Sequence, residues 1–461
     1  MKKFTPVPSA AFTLIELLVS TTIIALIMLI MVSMTNQTAK TWRATTEKVE
    51  KFQGARDGFE AMTRRISQAT LNTYWDYVDI NGKVRSQFLA SFPNDNAALS
   101  KFIAASYGRM SELRFVSGPM SQPTSPLVTN NSPPLNPLID PSRIPDLQKF
   151  PTHGIFFQAP LGVVTDDSTS QATYGTNYSS MDNALNTWGY FVETSDYDER
   201  PNFISNKITP LRWRCRLMEM RLPSEKMGLY DAFSTDKSND WFQTWLAIPN
   251  GSSPPRPTRV LAENVMALII WPKLSKQDED ARWNTASAST SQSILCPNYA
   301  YSSNPPMDPS TNPQRPYNRN PGVVWNSLAS DDVVEKGGVN PINQLPPTVQ
   351  VTMIAIDERS AKRLAELYGP NSSNSANKYT LGFDLSHRFL TAAHYNRDKG
   401  GTYTDMSVTP PTAAFDRTKY ESYMDQDIDE YCKEMAAKGV TFRVFSTNVS
   451  IRGAKWSRAQ F

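Results

Sequence analysis

Residues Phe12 to Met34 form a run of 23 residues with one charge, Glu16, and neither proline nor glycine. As a helix rising about 1.5 Å per residue the run covers roughly 34 Å, more than a hydrocarbon core of about 30 Å. Few features constrain a chain more, because such a segment must lie in a membrane, in an apolar bundle or in a signal sequence. A secretory signal has an apolar region of about 7 to 15 residues followed by a small-residue cleavage site. Here Ser33-Met34-Thr35 is a poor site, and the small residues Ser9-Ala10-Ala11 come before the run. Cleavage there leaves the whole apolar segment on the mature protein. Glu16, the fifth residue of the run, costs about 2.5–3.5 kcal/mol at mid-bilayer on insertion scales and less near an interface, so it calls for headgroup depth or a partner.

The stretch Ala11-Phe12-Thr13-Leu14-Ile15-Glu16-Leu17-Leu18-Val19-Ser20, behind a leader with Lys2 and Lys3, resembles the prepilin signature of type IV pilins and type II secretion pseudopilins. The resemblance implies that a prepilin peptidase cuts between Ala11 and Phe12 and methylates the new Phe12 amine. Glu16 then becomes the fifth residue of a 450-residue mature chain. In that family the carboxylate pairs with the N-terminal amine of a neighbouring subunit during filament assembly, and an ammonium and a carboxylate do compensate each other in an apolar bundle. The family usually has Gly before the cut, where this chain has Ala11, and Pro6 and Pro8 also set its leader apart. Lys40 and Arg43 at the far end leave the distribution of basic residues even, so orientation rests on the resemblance.

Beyond the span, Trp42, Val49, Phe52, Ala55, Phe59, Met62, Ile66 and Ala69 recur at threes and fours, the pattern of one helical stripe. The spacing predicts a continuous rod from Phe12 to Ala69, apolar all round at first and amphipathic afterwards. Gly54 and Gly58 within it read as ordinary helix rather than as a dimer motif.

From about Leu71 the pattern changes to short strands between long polar stretches. Leu113–Val116, Gly154–Phe157, Gly189–Glu193, Leu211–Leu217, Val260–Trp271, Thr348–Ile356 and Phe442–Arg452 are the predicted strands. Arg212, Arg214 and Arg216 alternate on one face of the fourth, which reads as a solvated face, and a slip of the apolar phase predicts a bulge near Leu217. Ser360–Tyr368 and Tyr420–Lys438 are predicted helices, the second ending at Gly439 as a C-cap. The chain has 34 prolines against 20 glycines, and they gather in Pro119–Pro151 and Pro297–Pro321, which read as loop insertions. "VLAENV" and "LPPTVQVTM" resemble sheet segments of J-type minor pseudopilins, and the ending "FRVFSTNVSIRGAKWS" after a helix resembles the Verru_Chthon cassette protein C family.

The expected fold class is therefore α+β and pilin-like, a long N-terminal hydrophobic helix packed on an antiparallel β-sheet domain with large Pro-rich loop insertions. Its expected divisions are a leader at 1–11, a transmembrane helix at 12–34, an amphipathic stalk at 35–70 and an extracytoplasmic domain at 71–461, with insertions near 119–151 and 273–345. The expected function is structural: a minor pseudopilin or pilin-like subunit, single-pass in the cytoplasmic (inner) membrane with its C-terminal domain in the periplasm. Its expected partners are the prepilin peptidase, other pilin or pseudopilin subunits and inner-membrane lipid. The alternative is a membrane-anchored binding module, an adhesin or DNA-uptake minor pilin, with the Pro-rich insertions or the three arginines engaging a ligand.

Little in the chain points to catalysis. A net charge of +3 with both signs interspersed argues against a nucleic-acid partner. Cys215, Cys296 and Cys432 are too scattered for a zinc site; Cys432 reads as buried in its helix, with a Cys215–Cys432 disulfide left open. Of three histidines, His387 and His394 match no metal spacing, and His153 has no nearby nucleophile or carboxylate in sequence. Asp278, Glu279 and Asp280, or Asp331 and Asp332, lack EF-hand spacing, and solvated loops are favoured over calcium sites. No enzyme activity, cofactor or metal is expected.

Overall fold

The structure, a computed structural model, describes residues 13–50, 52–79, 85, 88, 98–120, 138–139, 149–162, 184–195, 212–227, 229, 240–249, 256–275, 295–296, 299–303, 343–369, 389, 420 and 423–454. Ala11, Phe12, Asp278, Glu279, Asp280, Asp331, Asp332, His387, His394 and most of the Pro-rich stretches lie outside these residues. The chain divides into two compact units, Met1–Gln53 and Gly54–Phe461.

The first unit holds α1 (Leu14–Glu50). The expected single rod to Ala69 is instead two helices, because α1 ends at Glu50 and α2 (Gln53–Ile66) starts anew. Their chemistry differs accordingly. α2 is amphipathic, and its stripe of Ala55, Gly58, Phe59, Met62 and Ile66 is buried within the second unit. Gly58 is where the helix comes close to a strand: a Cβ there would stand 3.1 Å from the Ala262 Cβ and 3.3 Å from the Leu261 carbonyl oxygen.

The second unit is built on antiparallel sheets. A hairpin pairs β1 (Tyr74–Asp79) with β2 (Ala104–Met110). The main sheet has six strands: β3 (Val116–Pro119), β4 (His153–Pro160), β5 (Leu185–Ser195), β6 (Arg214–Leu222), β7 (Thr258–Glu263) and β9 (Tyr301–Ser302), in the order β7-β6-β5-β4-β3-β9. A three-stranded sheet, with β10 (Thr348–Ile356) between β8 (Val265–Lys273) and β11 (Phe442–Ser450), packs through β8 on the main sheet. Among the described residues α3 (Asp240–Leu246), α4 (Glu358–Tyr368) and α5 (Tyr423–Ala437) are further helices.

Several of these elements follow from local chemistry. β10 has the bounds that its apolar run predicts. Asp357 caps α4, its carboxylate accepting the Ser360 N–H at 2.9 Å. Gly439, at φ +68, ends α5: the Val440 N–H donates to the Met435 carbonyl at 3.0 Å and the Gly439 N–H to Ala436 at 2.9 Å, the paired bonds of a Schellman cap. The pairing of β6 with β7 shifts register between Leu217 and Met218, where the apolar phase slips.

Two predictions are corrected by tertiary pairing. Val260–Trp271 is two strands, split at Asn264, whose φ of +60 turns the chain from the six-stranded sheet into the three-stranded one. Asn tolerates that left-handed conformation better than other L-residues with a Cβ. Leu113–Val116 pairs only from Val116 onward; ahead of it the Arg114 N–H donates to Gln158 Oε1 at 2.7 Å and the Phe115 N–H to Ser303 Oγ at 2.9 Å, so side chains take the place of a strand. The β1–β2 hairpin and α3 are further elements with no counterpart among the predictions.

The two faces of the main sheet are covered differently. Phe156 lies opposite Gly189 across the β4–β5 pair and stacks on Phe242 of α3, with centroids 4.0 Å apart and ring planes at 9°. Any Cβ at position 189 would run into the Phe156 ring, so the glycine makes room for that stack. On the opposite face β8 meets His153, and α2 brings Arg65 over β5, β6 and β7.

Candidate functional site

Thr13 stands just ahead of α1, and its N–H and hydroxyl donate to Glu16 Oε2 at 3.0 and 2.9 Å. The Glu16 N–H in turn points at Thr13 Oγ1 at 3.4 Å. Thr-x-x-Glu with these reciprocal contacts is a capping box, which occupies donors that a helix start leaves unpaired. The sequence signal for this cap is Thr13-Leu14-Ile15-Glu16 itself.

Four hydroxyls farther along α1 are also satisfied within the helix. Ser20, Thr21 and Thr22 donate to the Leu17, Leu18 and Val19 carbonyls at 2.8–2.9 Å, and Thr35 donates to Met31 at 2.8 Å. Internal satisfaction of this kind is what a lipid environment demands, because it has no water to offer. Leu14–Ala39 is long and apolar enough to cross a membrane, and its large side chains from Leu14 to Met34 are exposed. Ala11 and Phe12, the expected cut, lie outside the described residues, and Glu16 lies within them.

The expected solvated arginine face is corrected. Arg214 and Arg216 are buried, while Arg212 is exposed. Arg214 donates to Glu358 Oε1 of α4 at 2.9 Å, and Asn264 Nδ2 holds the other oxygen of that carboxylate at 2.9 Å. Burial alone would raise the Glu358 pKa, but the Asn264 and Arg214 hydrogen bonds hold it below its ordinary value. Arg216 donates to the Ser195 and Arg212 carbonyls at 2.8 and 3.0 Å. Glu358, far along the chain, engages Arg214, and backbone carbonyls engage Arg216, so both arginines brace the domain and are withdrawn from a ligand.

Two further charged groups lie inside the domain. Glu193, fully buried, pairs with the buried Arg256, and Lys149 Nζ stands 3.5 Å from its second oxygen. Glu219, also fully buried, accepts from Tyr190 at 2.9 Å and pairs with Arg65 and Arg259. Sequence reasoning missed both clusters, because their members come from strands and a helix well separated along the chain.

His153 opens β4 and is fully enclosed. Its Nδ1 accepts the Ile270 N–H at 3.0 Å and its Nε2 donates to the Phe389 carbonyl at 2.8 Å, which assigns the neutral tautomer. Burial pushes its pKa down to about 4. Both ring nitrogens are engaged by backbone, so the histidine clamps strands and does no acid–base work. Cys215, Cys296 and Cys432 form no disulfide with one another, the first two being buried and Cys432 half-buried; burial raises the pKa of Cys215 to about 12 and that of Cys432 to about 11. Thiolate chemistry near neutral pH is thereby disfavoured at both. Among the described residues no group of three or more His, Cys, Asp and Glu side chains is placed to hold a metal ion.

Comparison with protein-family models, with curated proteins and with solved structures finds no match for this chain.

Proposed function

We propose that this protein is a structural subunit of the pseudopilin or type IV pilin kind, anchored in the cytoplasmic membrane by α1 and assembled into a filament through that helix after removal of the leader. The observation that carries the reading is α1 itself: a membrane-length apolar helix whose first turn bears one carboxylate. The antiparallel sheet domain behind it suits a subunit that presents a folded head and contributes no chemistry of its own. On this reading the domain lies outside the cytoplasm, and the partners are the processing peptidase, other subunits and membrane lipid.

The test begins with the intact mass and N-terminal residue of the membrane-extracted protein from its own host. An N-methylated Phe12 supports the reading, and an intact Met1 or a terminus beyond Met34 overturns it. The role of Glu16 needs a finer comparison, since its carboxylate also closes the capping box. Glu16→Gln keeps an acceptor for Thr13 and removes the charge, whereas Glu16→Leu removes both. Both variants should insert into the membrane, and both should lose at least about tenfold of the subunit cross-linking, as expected when a paired charge is left alone in an apolar bundle. Cross-linking preserved in Glu16→Gln and lost in Glu16→Leu would assign the carboxylate to the cap alone.

A second reading, a membrane-anchored extracytoplasmic binding module, draws on the β1–β2 hairpin. Trp75 and Tyr107 stack at 5.5 Å between centroids, Tyr77 lies 5.2 Å from Tyr107, and all three rings are exposed. Exposed ring clusters are unusual on soluble surfaces and suit polysaccharide or protein contacts. Saturable binding of a polysaccharide by the full chain in detergent, lost on Trp75→Ala, would favour this reading.

A further inference from the structure

Among the described residues, the face of the main sheet that α2 covers carries more positive charge than negative. Strand register sets Tyr190 opposite Glu219, Glu219 opposite Arg259, and Trp188 opposite Arg221, and α2 adds Arg65 to the same group. Glu219 is fully buried. Arg65 and Arg259 pair with it directly, while Arg221 Nε stays 4.0 Å from Glu219 Oε2. Among the described residues three guanidinium groups thus surround one carboxylate, a surplus of two positive charges. Burial, then the neighbouring Arg259 guanidinium, holds the Arg221 pKa below its ordinary value.

The arginines are open to solvent, with side-chain exposures of 26% for Arg65, 39% for Arg221 and 41% for Arg259. Among the described residues the Arg221 side chain makes no hydrogen bond; it lies beside the Trp188 ring, 5.8 Å from its centroid, with Arg65 4.5 Å from the same ring. Trp188 Nε1 is buried and likewise has no hydrogen-bond partner among the described residues. Guanidinium forks with spare N–H groups match the oxygens of tetrahedral anions, and aromatic neighbours keep their planes oriented.

We propose that Arg65, Arg221 and Arg259 form a binding site for a dianionic oxyanion of the sulfate or phosphate-monoester class, seated beside Glu219 and Trp188. The charge count favours a dianion, because two negative charges cancel the surplus where one carboxylate leaves a cation over. Glu219 then has a second role. It holds two of the arginines in place and keeps the net charge low enough for the cluster to form before the ligand arrives.

The experiment follows thermal unfolding of the full chain in detergent, with chloride used to match ionic strength throughout. Sulfate should raise the midpoint saturably and equally at pH 5 and pH 8. Glycerol 2-phosphate, whose second proton leaves near pH 6, should bind more strongly at pH 8 than at pH 5. Sulfate also stabilises proteins generally by exclusion from their surfaces, so the decisive comparison is with Arg221→Gln, which spares the two direct pairs to Glu219. That variant should lose about tenfold in apparent affinity for both anions, the usual cost of one charge-assisted hydrogen bond, and Arg221→Lys should regain part of it. Three results would overturn the site: no saturable rise, a rise unchanged in Arg221→Gln, or acetate binding as tightly as sulfate. A phosphate ester that binds while sulfate does not would restrict the ligand to the phosphorylated class and overturn the broader one.

Discussion

Replacing Glu193 with Gln should destabilise the sheet domain by about 3–5 kcal/mol, measured by urea unfolding of the full chain in detergent. Glu193 has no exposed surface, and the Arg256 guanidinium paired with it is 3% exposed. Taking one charge from a pair sealed in this way strands the other where water cannot reach it, and that desolvation cost sets the magnitude. Lys149, 3.5 Å from Oε1 and 23% exposed, can turn outward and relieve only its own share. The double variant Glu193→Leu with Arg256→Met should recover most of the loss, since apolar groups of similar volume fill the site without any charge to solvate. A double variant as unstable as the single one would mean that hydrogen bonds around the pair, and not its charge, dominate.

Acidification should remove about 3 kcal/mol of stability between pH 6.5 and pH 4 through His153 alone. Its folded-state pKa, about 4, lies below the ordinary value near 6.5. In that window the unfolded chain binds a proton that the folded protein refuses, so stability falls as the pH falls and is unaffected by this group above the window. The cause is desolvation of the buried imidazole. The Ile270 carbonyl 3.3 Å from Nδ1 and the Phe389 carbonyl 2.8 Å from Nε2 favour the protonated ring and offset only part of that desolvation. Among the described residues no carboxylate pairs with the imidazole to offset the cost. Unfolding free energies of the native chain and of His153→Asn, measured across pH 4 to 8, should differ in slope only below about pH 6.5. Identical slopes would show that other groups govern acid unfolding.

The reach of the sequence follows from how local each signal is. β10, α4 and the C-cap of α5 were legible because an apolar run, an Asp ahead of a helix and a Gly behind one act within a few residues. The bulge near Leu217 was legible for the same reason, as a phase slip in one strand. The arginines of β6 were misread because alternation says that Arg214 and Arg216 share a face and is silent on what covers it. Glu358, the partner of Arg214, lies 144 residues onward. The same distance hid the pairing of Glu219 with Arg65, 154 residues apart. The β1–β2 hairpin escaped because Tyr74–Asp79 carries aromatic and acidic residues on both faces, without the alternation that marks a half-buried strand.

Sequence alone determined that an apolar helix of membrane length heads this chain, that a single carboxylate sits in its first turn, and that antiparallel strands follow. Hydropathy and periodicity are properties of neighbouring residues, and they survive in any tertiary context. Tertiary structure alone decided that the helical stripe after Glu50 belongs to a separate helix, that Asn264 carries the chain from one sheet to the other, and which charges are sealed and which face water. Those outcomes depend on the desolvation of each group by segments remote in sequence, a quantity that no window of residues contains.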